Sequence, residues 1–542
     1  MERTKKRNSL VMQGAILAAA SLIVRLIGFA YRIPMVHLLK DEGMGYYSNS
    51  FDLYTFFLII SSYGLPAAIS KIVSARYTRH QYREAHLIFR AGLALSLLIG
   101  TVSSVLLWAS ASWTADRIGS PLSVHAIRAL APALLIFALM AVFRGYFQGM
   151  NTMMPTALSQ IVEQVFNAVF SLVLAGILVT KGMEYGASGG TMGTGVGALA
   201  GLLLLGGVYA MARGRILGRV EKDTVSDRGR MLSYWKVILL TAVPMVIGTV
   251  TFHMTNLVDM VMFQNALLFQ GYDNTTTVTM YGILNGKYKL MVTLPVSIAS
   301  ALATASIPSI TASLVRGDKE DIRNKVDQAI RTIMLFSIPS AVGLFVLARP
   351  ILQMLFGTEN LETAASLLRL GSVSVVFFGI STISIGILQG LNLLRVPVVS
   401  SAKSLGIKVA FNILLLYVFD MNLYGAVITN IIFALSSAWL NLRAIHRHHP
   451  LGLNLQKSLI LPGASALGMG IVSWLAYQGL MGLGAGNTWS TLAALPVAGL
   501  VYATLLLKTK VFTYEEVLEL PKGHKLAPFL RRIGLLAAPA RL

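Results

Sequence analysis

The sequence predicts an all-α polytopic membrane protein of about fourteen transmembrane helices, arranged as two pseudo-symmetric six-helix lobes plus two extra C-terminal helices. Three observations carry this. Of 542 residues, 55% are hydrophobic and only 13% charged, against ~25% charged in a soluble domain. Mostly apolar stretches of ~20 residues recur along the whole chain. The basic excess, 45 Lys and Arg against 23 Asp and Glu for a net charge of +22, gathers in alternate connections between those stretches. Its scatter among apolar spans speaks against nucleic-acid binding. The chain has no cysteine, so disulfides, Cys-ligated zinc, iron–sulfur clusters and thiol nucleophiles are excluded.

Apolar windows and their breaks centre the spans near Ala20, Ile59, Leu97, Leu135, Phe170, Leu202, Val246, Ile298, Leu335, Val376, Leu414, Phe433, Val472 and Ala498. The first apolar stretch, Leu10 to Leu39, is too long for a signal peptide and reads as a retained helix. Pro34, Pro66, Pro244, Pro295 and Pro308 fall in or near spans and predict bent or broken helices. With the N-terminus inside, one set of connections holds Arg3 to Arg7, Lys71 to Arg83, Arg213 to Arg230, Arg316 to Lys325, Arg443 to Lys457 and the tail from Lys508. The alternate set offers little more than Lys40, Arg117, Lys181 and Arg349. That asymmetry places both termini in the cytoplasm and requires an even number of spans. The tail over 509–542 reads as a basic segment held near anionic lipid, with an interfacial amphipathic segment as the alternative.

An internal repeat organises the chain. Gly145-Tyr-Phe-Gln148-Gly149-Met-Asn151, followed by Pro155, is matched by Gly386-Ile-Leu-Gln389-Gly390-Leu-Asn392, followed by Pro397. The offset from Gly149 to Gly390 is 241 residues. A weaker match sets Tyr47-x3-Phe51-x2-Tyr54 beside Tyr281-x3-Asn285-x2-Tyr288. Two similar offsets argue for a duplicated unit and give lobes at 1–213 and 234–446, a linker at 214–233, two further spans at 447–508 and the tail. Duplicated lobes with substrate bound between them are a transporter architecture.

The residues Arg25-Leu-Ile-Gly28-Phe29-Ala-Tyr-Arg32, the run Tyr288-Lys289 to Pro295 with Ala303-Thr304-Ala305 and Pro308, and the two Gln-Gly-x-Asn turns resemble the MOP exporter superfamily. The resemblance is to its polysaccharide exporter and MurJ-type lipid II flippase branch, near the stage V sporulation protein B group. It spans essentially the whole chain. Departures are the second Arg one residue later than in Gram-negative flippases, Leu58 where those tend to be basic, and Lys289 where they usually carry Arg.

Ionisable residues at membrane depth are costly and mark candidate sites. Arg25, Arg32, Asp52, Lys287 and Lys289 form the candidate substrate-binding set, since basic side chains suit a diphosphate and Arg matches phosphate oxygens with a fork. Asp52 and Glu163 are expected partners of these cations when the site is empty. Arg128, Arg144 and Lys403, close to span ends, read as interfacial anchors. The resemblance also implies a cation site at Asp259, Asn412 and Thr429, although Leu416 stands where a second acid is expected. The glycines around Gly193, Gly195 and Gly197 read as helix-packing residues rather than a dinucleotide fingerprint. His446, His448 and His449 lack a nearby carboxylate and read as a loop, so no metal is expected.

The resemblance thus implies a flippase that moves a lipid-linked cell-wall precursor, foremost lipid II, from the inner to the outer leaflet of the bacterial cytoplasmic membrane. Another undecaprenyl-linked polysaccharide stays open as cargo. A cation-coupled multidrug exporter predicts an acidic cavity, while bases outnumber acids in these spans; a membrane scaffold predicts cavity charges that can be removed without phenotype. No catalytic constellation is present, and no Gly-x4-Gly-Lys-Ser/Thr motif supplies ATP. No cofactor is expected; Na+ or H+ coupling and the membrane potential remain as driving forces. The expected partners are the undecaprenyl-diphosphate-linked glycan, membrane lipids and the cell-wall synthesis machinery, with the chain itself a monomer.

Overall fold

A computed structural model describes residues 2–224, 231–449 and 454–509, with single positions at 452, 511, 518, 524 and 528. Arg228, Arg230 and most of the expected tail lie outside the described residues. The chain is helical throughout, with no strand among the described residues. Its first half runs α1 (Glu2–Ala30), α2 (Arg32–Leu58), α3 (Leu65–Thr78), α4 (Tyr82–Arg117), α5 (Val124–Gly149), α6 (Met154–Leu178) and α7 (Met183–Glu221). The second half follows as α8 (Met231–Phe269), α9 (Asn274–Gly282), α10 (Leu290–Arg316), α11 (Lys319–Val346), α12 (Ala348–Phe356), α13 (Leu361–Gly371), α14 (Ser374–Gly390), α15 (Arg395–Asn412) and α16 (Asn422–His448). Two more helices, α17 (Leu461–Gly482) and α18 (Gly486–Lys508), complete the described chain.

Among the described residues eleven helical segments are long and apolar enough to cross a membrane, thirteen when two bent pairs are each taken as one span; Ile16–Ala30 is a further, shorter apolar helix. Each of the fourteen expected centres falls in one of these segments, although the qualifying count stops at thirteen. The first expected stretch, Leu10 to Leu39, is not one helix. It breaks at Tyr31, and α2 kinks at Lys40, whose φ is 53°.

Proline and π-turns account for most of the bends. Pro66 and Pro295 each follow a π-helical stretch, Ile59–Tyr63 and Ile283–Lys289, where the widened ring leaves room for the missing N–H. One turn after Pro244, α8 bends by 47°. The described residues of the expected linker at 214–233 are mostly helix, because α7 continues to Glu221 and α8 starts at Met231.

Packing divides the chain into two units, Met1–Gly286 with Asn412–Asn422, and Lys287–Phe411 with Leu423–Leu542. The boundary differs from the lobe limits expected at 213 and 234. In the first unit α8 packs on the early helices: Trp235 donates to the Ala91 carbonyl at 2.9 Å, and Gly64 lies against Ala242 and Val246. The stripe Gly189, Gly193 and Gly197 brings α7 onto the backbone of α6, where a Cβ would strike Leu174, Ser171 and Glu163. That is helix packing by small residues. In the second unit Ile310, Ile330, Ile333, Ile383 and Ile387 form the core, and α18 is tied to α11 by Tyr502 donating to the Leu335 carbonyl at 2.9 Å.

The repeat is visible in the backbone. α5 ends with Asn151 at φ 59° and α14 with Asn392 at φ 61°. In each turn three amides return to the last helical carbonyls in the same pattern: Met150 to Tyr146, Asn151 to Gln148 and Thr152 to Phe147, and Leu391 to Ile387, Asn392 to Gln389 and Leu393 to Leu388. Other left-handed turn residues recur at nearly the same offset, His80 with Gly317 and Gly119 with Gly357. Gly145 seats against Pro66 of α3, and Gly386 against Ala303 of α10.

Candidate substrate site

The polar face of α2 gathers ionisable and hydroxyl groups along one of the candidate membrane spans. Arg32 opens α2, half-buried, directly after the break at Tyr31. The Tyr31 and Tyr47 hydroxyls meet at 3.0 Å, and Arg32 lies within electrostatic reach of both and of Asp52. The Asp52 carboxylate accepts from the Tyr281 hydroxyl of α9 at 2.5 Å. Asp259, buried on α8, acts electrostatically on the same tyrosine. Tyr281 therefore links two acids that the sequence assigns to separate sites. α9 can approach α2 this closely because Gly45 lies on the Val278 carbonyl and Gly282 on the Asp41 carbonyl. Further along α2, Asn49 and Gln264 of α8 exchange amide hydrogen bonds of 2.7 and 3.2 Å, and Asn49 also donates to Ser123 at 3.2 Å. Both amides are fully buried, so the pair satisfies groups that would each be costly alone.

The remaining candidates divide. Arg25 is exposed on α1, beside the exposed side chains of Leu22, Ile23 and Leu26. Lys289 is half-buried. Lys287 is buried and donates to the Glu359 carbonyl at 2.6 Å, so it ties down the turn between α12 and α13. Next to it, the buried Tyr288 ring lies where a Cβ on Gly371 would fall.

Of the cation candidates, Asp259 and Asn412 belong to one unit and Thr429 to the other. Asn412 is buried, reaches Met262 Sδ at 3.8 Å, and has a carboxamide oxygen with no hydrogen-bond partner among the described residues. The Thr429 hydroxyl donates to the Ala426 carbonyl of its own helix at 3.0 Å.

Arg144 is not an interfacial anchor. It pairs with Glu163 of α6 at 2.6 Å, the side chains 14% and 18% exposed, and also donates to Ser159 at 3.0 Å. Glu163 thus serves Arg144, rather than the substrate-set cations with which it was expected to pair. Arg128 does behave as an anchor, donating to Ser112 at 2.9 Å with its guanidinium 4.9 Å from the Trp108 ring centroid, as in an aromatic belt. Lys408, buried on α15, donates to Asn430 at 2.8 Å. Sequence reasoning passed over Tyr31, Asn49 and Gln264. Tyr281 appeared there only as part of the repeat match, although that match was the signal that could have marked it.

Residues 10–314 match the polysaccharide biosynthesis protein family, and residues 244–414 match the MatE family. The lipid II flippase MurJ of Bacillus subtilis (strain 168) is 28% identical over 482 residues, covering 85% of this chain and 88% of that protein. Stage V sporulation protein B of the same organism is 23% identical over 508 residues, covering 93% and 96%. Two solved structures share the fold. Lipid II flippase MurJ in an inward closed conformation aligns with a TM-score of 0.62 at 15% identity, over 89% of this chain and 98% of that one. An inward-facing multidrug resistance MATE family transporter of the MOP superfamily aligns with a TM-score of 0.64 at 17% identity, over 78% and 94%. These relatives are named as flippases, transporters and a sporulation protein, in line with a chain that is not an enzyme. More than half of the chain matches one family model, and the multi-pass membrane protein described here belongs to the polysaccharide biosynthesis protein family.

Proposed function

We propose that the protein is a flippase for an undecaprenyl-diphosphate-linked cell-wall precursor, lipid II first, working by alternating access in the bacterial cytoplasmic membrane with both termini inside. The observation that carries this reading is the α2 cluster, in which Arg32 is held at membrane depth among Tyr31, Tyr47 and Asp52. A guanidinium placed this way can exchange its internal partners for phosphate oxygens without being left bare in a low dielectric. Arg25 supplies further positive charge from α1, and Asp52, restrained by Tyr281, holds the cluster when no cargo is bound. Lys287, committed to the Glu359 carbonyl, acts as a positioning residue.

An anionic head leaving an inside-negative cell gains ~2.3 kcal/mol per charge per 100 mV, so the membrane potential can drive export. The orphan oxygen of Asn412, near Met262, supports the part of the cation-site reading that lies in one unit, Asp259 and Asn412, as the place where Na+ or H+ couples. The test is rescue of a strain depleted of its lipid II flippase. Arg25→Ala is expected to insert normally and abolish rescue; full rescue would remove Arg25 from the site. A wild-type chain that fails this rescue but restores export of another undecaprenyl-linked glycan would move the substrate to that class.

A further inference from the structure

A second anion site stands apart from the substrate residues. Helices α4 and α7 have 36 and 39 residues, well beyond the ~20 that cross the hydrocarbon core, so their ends project past it. Arg90 lies just before the apolar run of α4 that begins at Ala91, and Arg213 just after the run of α7 that ends at Ala212. Each is eight residues from its helix end at Tyr82 or Glu221, about 12 Å along the axis. Both are exposed.

The two arginines share one aromatic floor. Phe89 and Tyr209 join the helices at 5.2 Å between ring centroids, and Phe89 stacks on Tyr146 at 4.3 Å. Arg90 follows Phe89 directly, and Arg213 lies one turn beyond Tyr209. His86, one turn before Arg90, has its ring 6.0 Å from Phe89, and its Nδ1 is buried without a hydrogen-bond partner among the described residues. Arg90 and Arg213 both act electrostatically on His86 and on Tyr209. Of the nearby carboxylates, Glu84 pairs with Arg76 at 3.1 Å, Asp223 accepts from the Arg83 amide at 2.7 Å, and Glu221 is exposed two turns further along α7.

We propose that Arg90, Arg213 and His86 bind the phosphate headgroup of an anionic phospholipid in the leaflet facing the basic connections. Two guanidinium forks and an imidazole suit phosphate oxygens. The position at the edge of the apolar runs selects a lipid over a soluble anion, since the exposed side chains of Leu97, Leu98, Leu203 and Met211 continue along the same helices, where acyl chains lie.

Native mass spectrometry of the purified full chain with phosphatidylglycerol, cardiolipin, phosphatidylcholine or inorganic phosphate tests the proposal. The wild type is expected to retain the anionic lipids and not phosphatidylcholine. Arg90→Gln with Arg213→Gln is expected to weaken retention about thirtyfold, from two surface cations. Arg90→Lys with Arg213→Lys, which keeps the charge but loses the forks, is expected to recover only part of that loss. Undiminished retention by the Gln pair, equal retention of phosphatidylcholine, or displacement by inorganic phosphate at equal concentration would each overturn the proposal. So would a Lys pair as weak as the Gln pair, because helix packing and not charge would then be responsible.

Discussion

The first half of the chain keeps α4 and α5 as unbroken helices of 36 and 26 residues, whereas the second half breaks both counterparts. The equivalent of α4 is interrupted at Leu347, between α11 and α12, and the equivalent of α5 bends by 49° between α13 and α14. Lys287 and Tyr288 meet the residues between and beside those breaks: the Glu359 carbonyl that receives Lys287 lies in the turn between α12 and α13, and Gly371, at the second break, abuts the Tyr288 ring. In the first half the corresponding polar investment is the Arg144–Glu163 pair. An offset of 241 residues from those positions lands on Ile385 and Ser404. The duplicated glycine seats and Asn turns are shared, while the polar side chains differ. The two halves therefore keep one scaffold and specialise through a few charges.

The largest effect is expected at the ion pair. Arg144→Ile leaves Glu163 uncompensated in a mostly buried place and should cost about 3 kcal/mol of stability. Adding Glu163→Ser, which installs the residues of the second half, should recover most of that loss. A double-mutant cycle of thermal unfolding in detergent reads the coupling; additive losses would mean that the pair is not the first half's distinguishing feature. Next come the glycine seats. A Cβ on Gly149 would lie 2.7 Å from Val73 Cβ and one on Gly390 3.1 Å from Ile310 Cβ. Gly149→Ala should thus destabilise by about 2 kcal/mol and Gly390→Ala by clearly less. Equal losses in the same unfolding measurement would erase this difference between the seats.

Lys287→Met removes a buried charged donor from the Glu359 carbonyl and is expected to cost about 1.5 kcal/mol, lowering Tm while the folded fraction still transports. Loss of transport at unchanged Tm would return Lys287 to the substrate set. The smallest effect concerns Asp273, the exposed N-cap of α9, which accepts from the Thr276 amide at 3.1 Å. Hydrogen bonds from Thr276 hold its carboxyl below the usual range. Its contribution is therefore present above the unfolded carboxylate pKa and is lost as pH falls through the lowered folded value. The Tm difference between wild type and Asp273→Ala should shrink as pH falls below the ordinary carboxylate range, and a difference that grew with acid would contradict the cap.

Much of this fold was legible because apolar length and turn chemistry are local. The span centres follow from runs of apolar residues, and the Gln148-Gly149-x-Asn151 and Gln389-Gly390-x-Asn392 turns carry their left-handed Asn in the sequence itself. The break at Tyr31 was legible, since Pro34 three residues later cannot donate to the Ala30 carbonyl, whereas the kink at Lys40 lies in an otherwise continuous run and was not. The candidate site was legible in its residue types but not in its pairings. Tyr281 reaches Asp52 across 229 positions, and Gln264 reaches Asn49 across 215, distances over which helical periodicity carries no information. Arg144 resembled a snorkelling end residue until α6 brought Glu163 against it.

The central claim is that the cations on α1 and α2 receive an anionic lipid-linked head. The most direct measurement is lipid II translocation in proteoliposomes containing wild type or Arg32→Ala, matched for folded protein. The account predicts translocation by the wild type and its loss in Arg32→Ala; equal translocation by the two would contradict it.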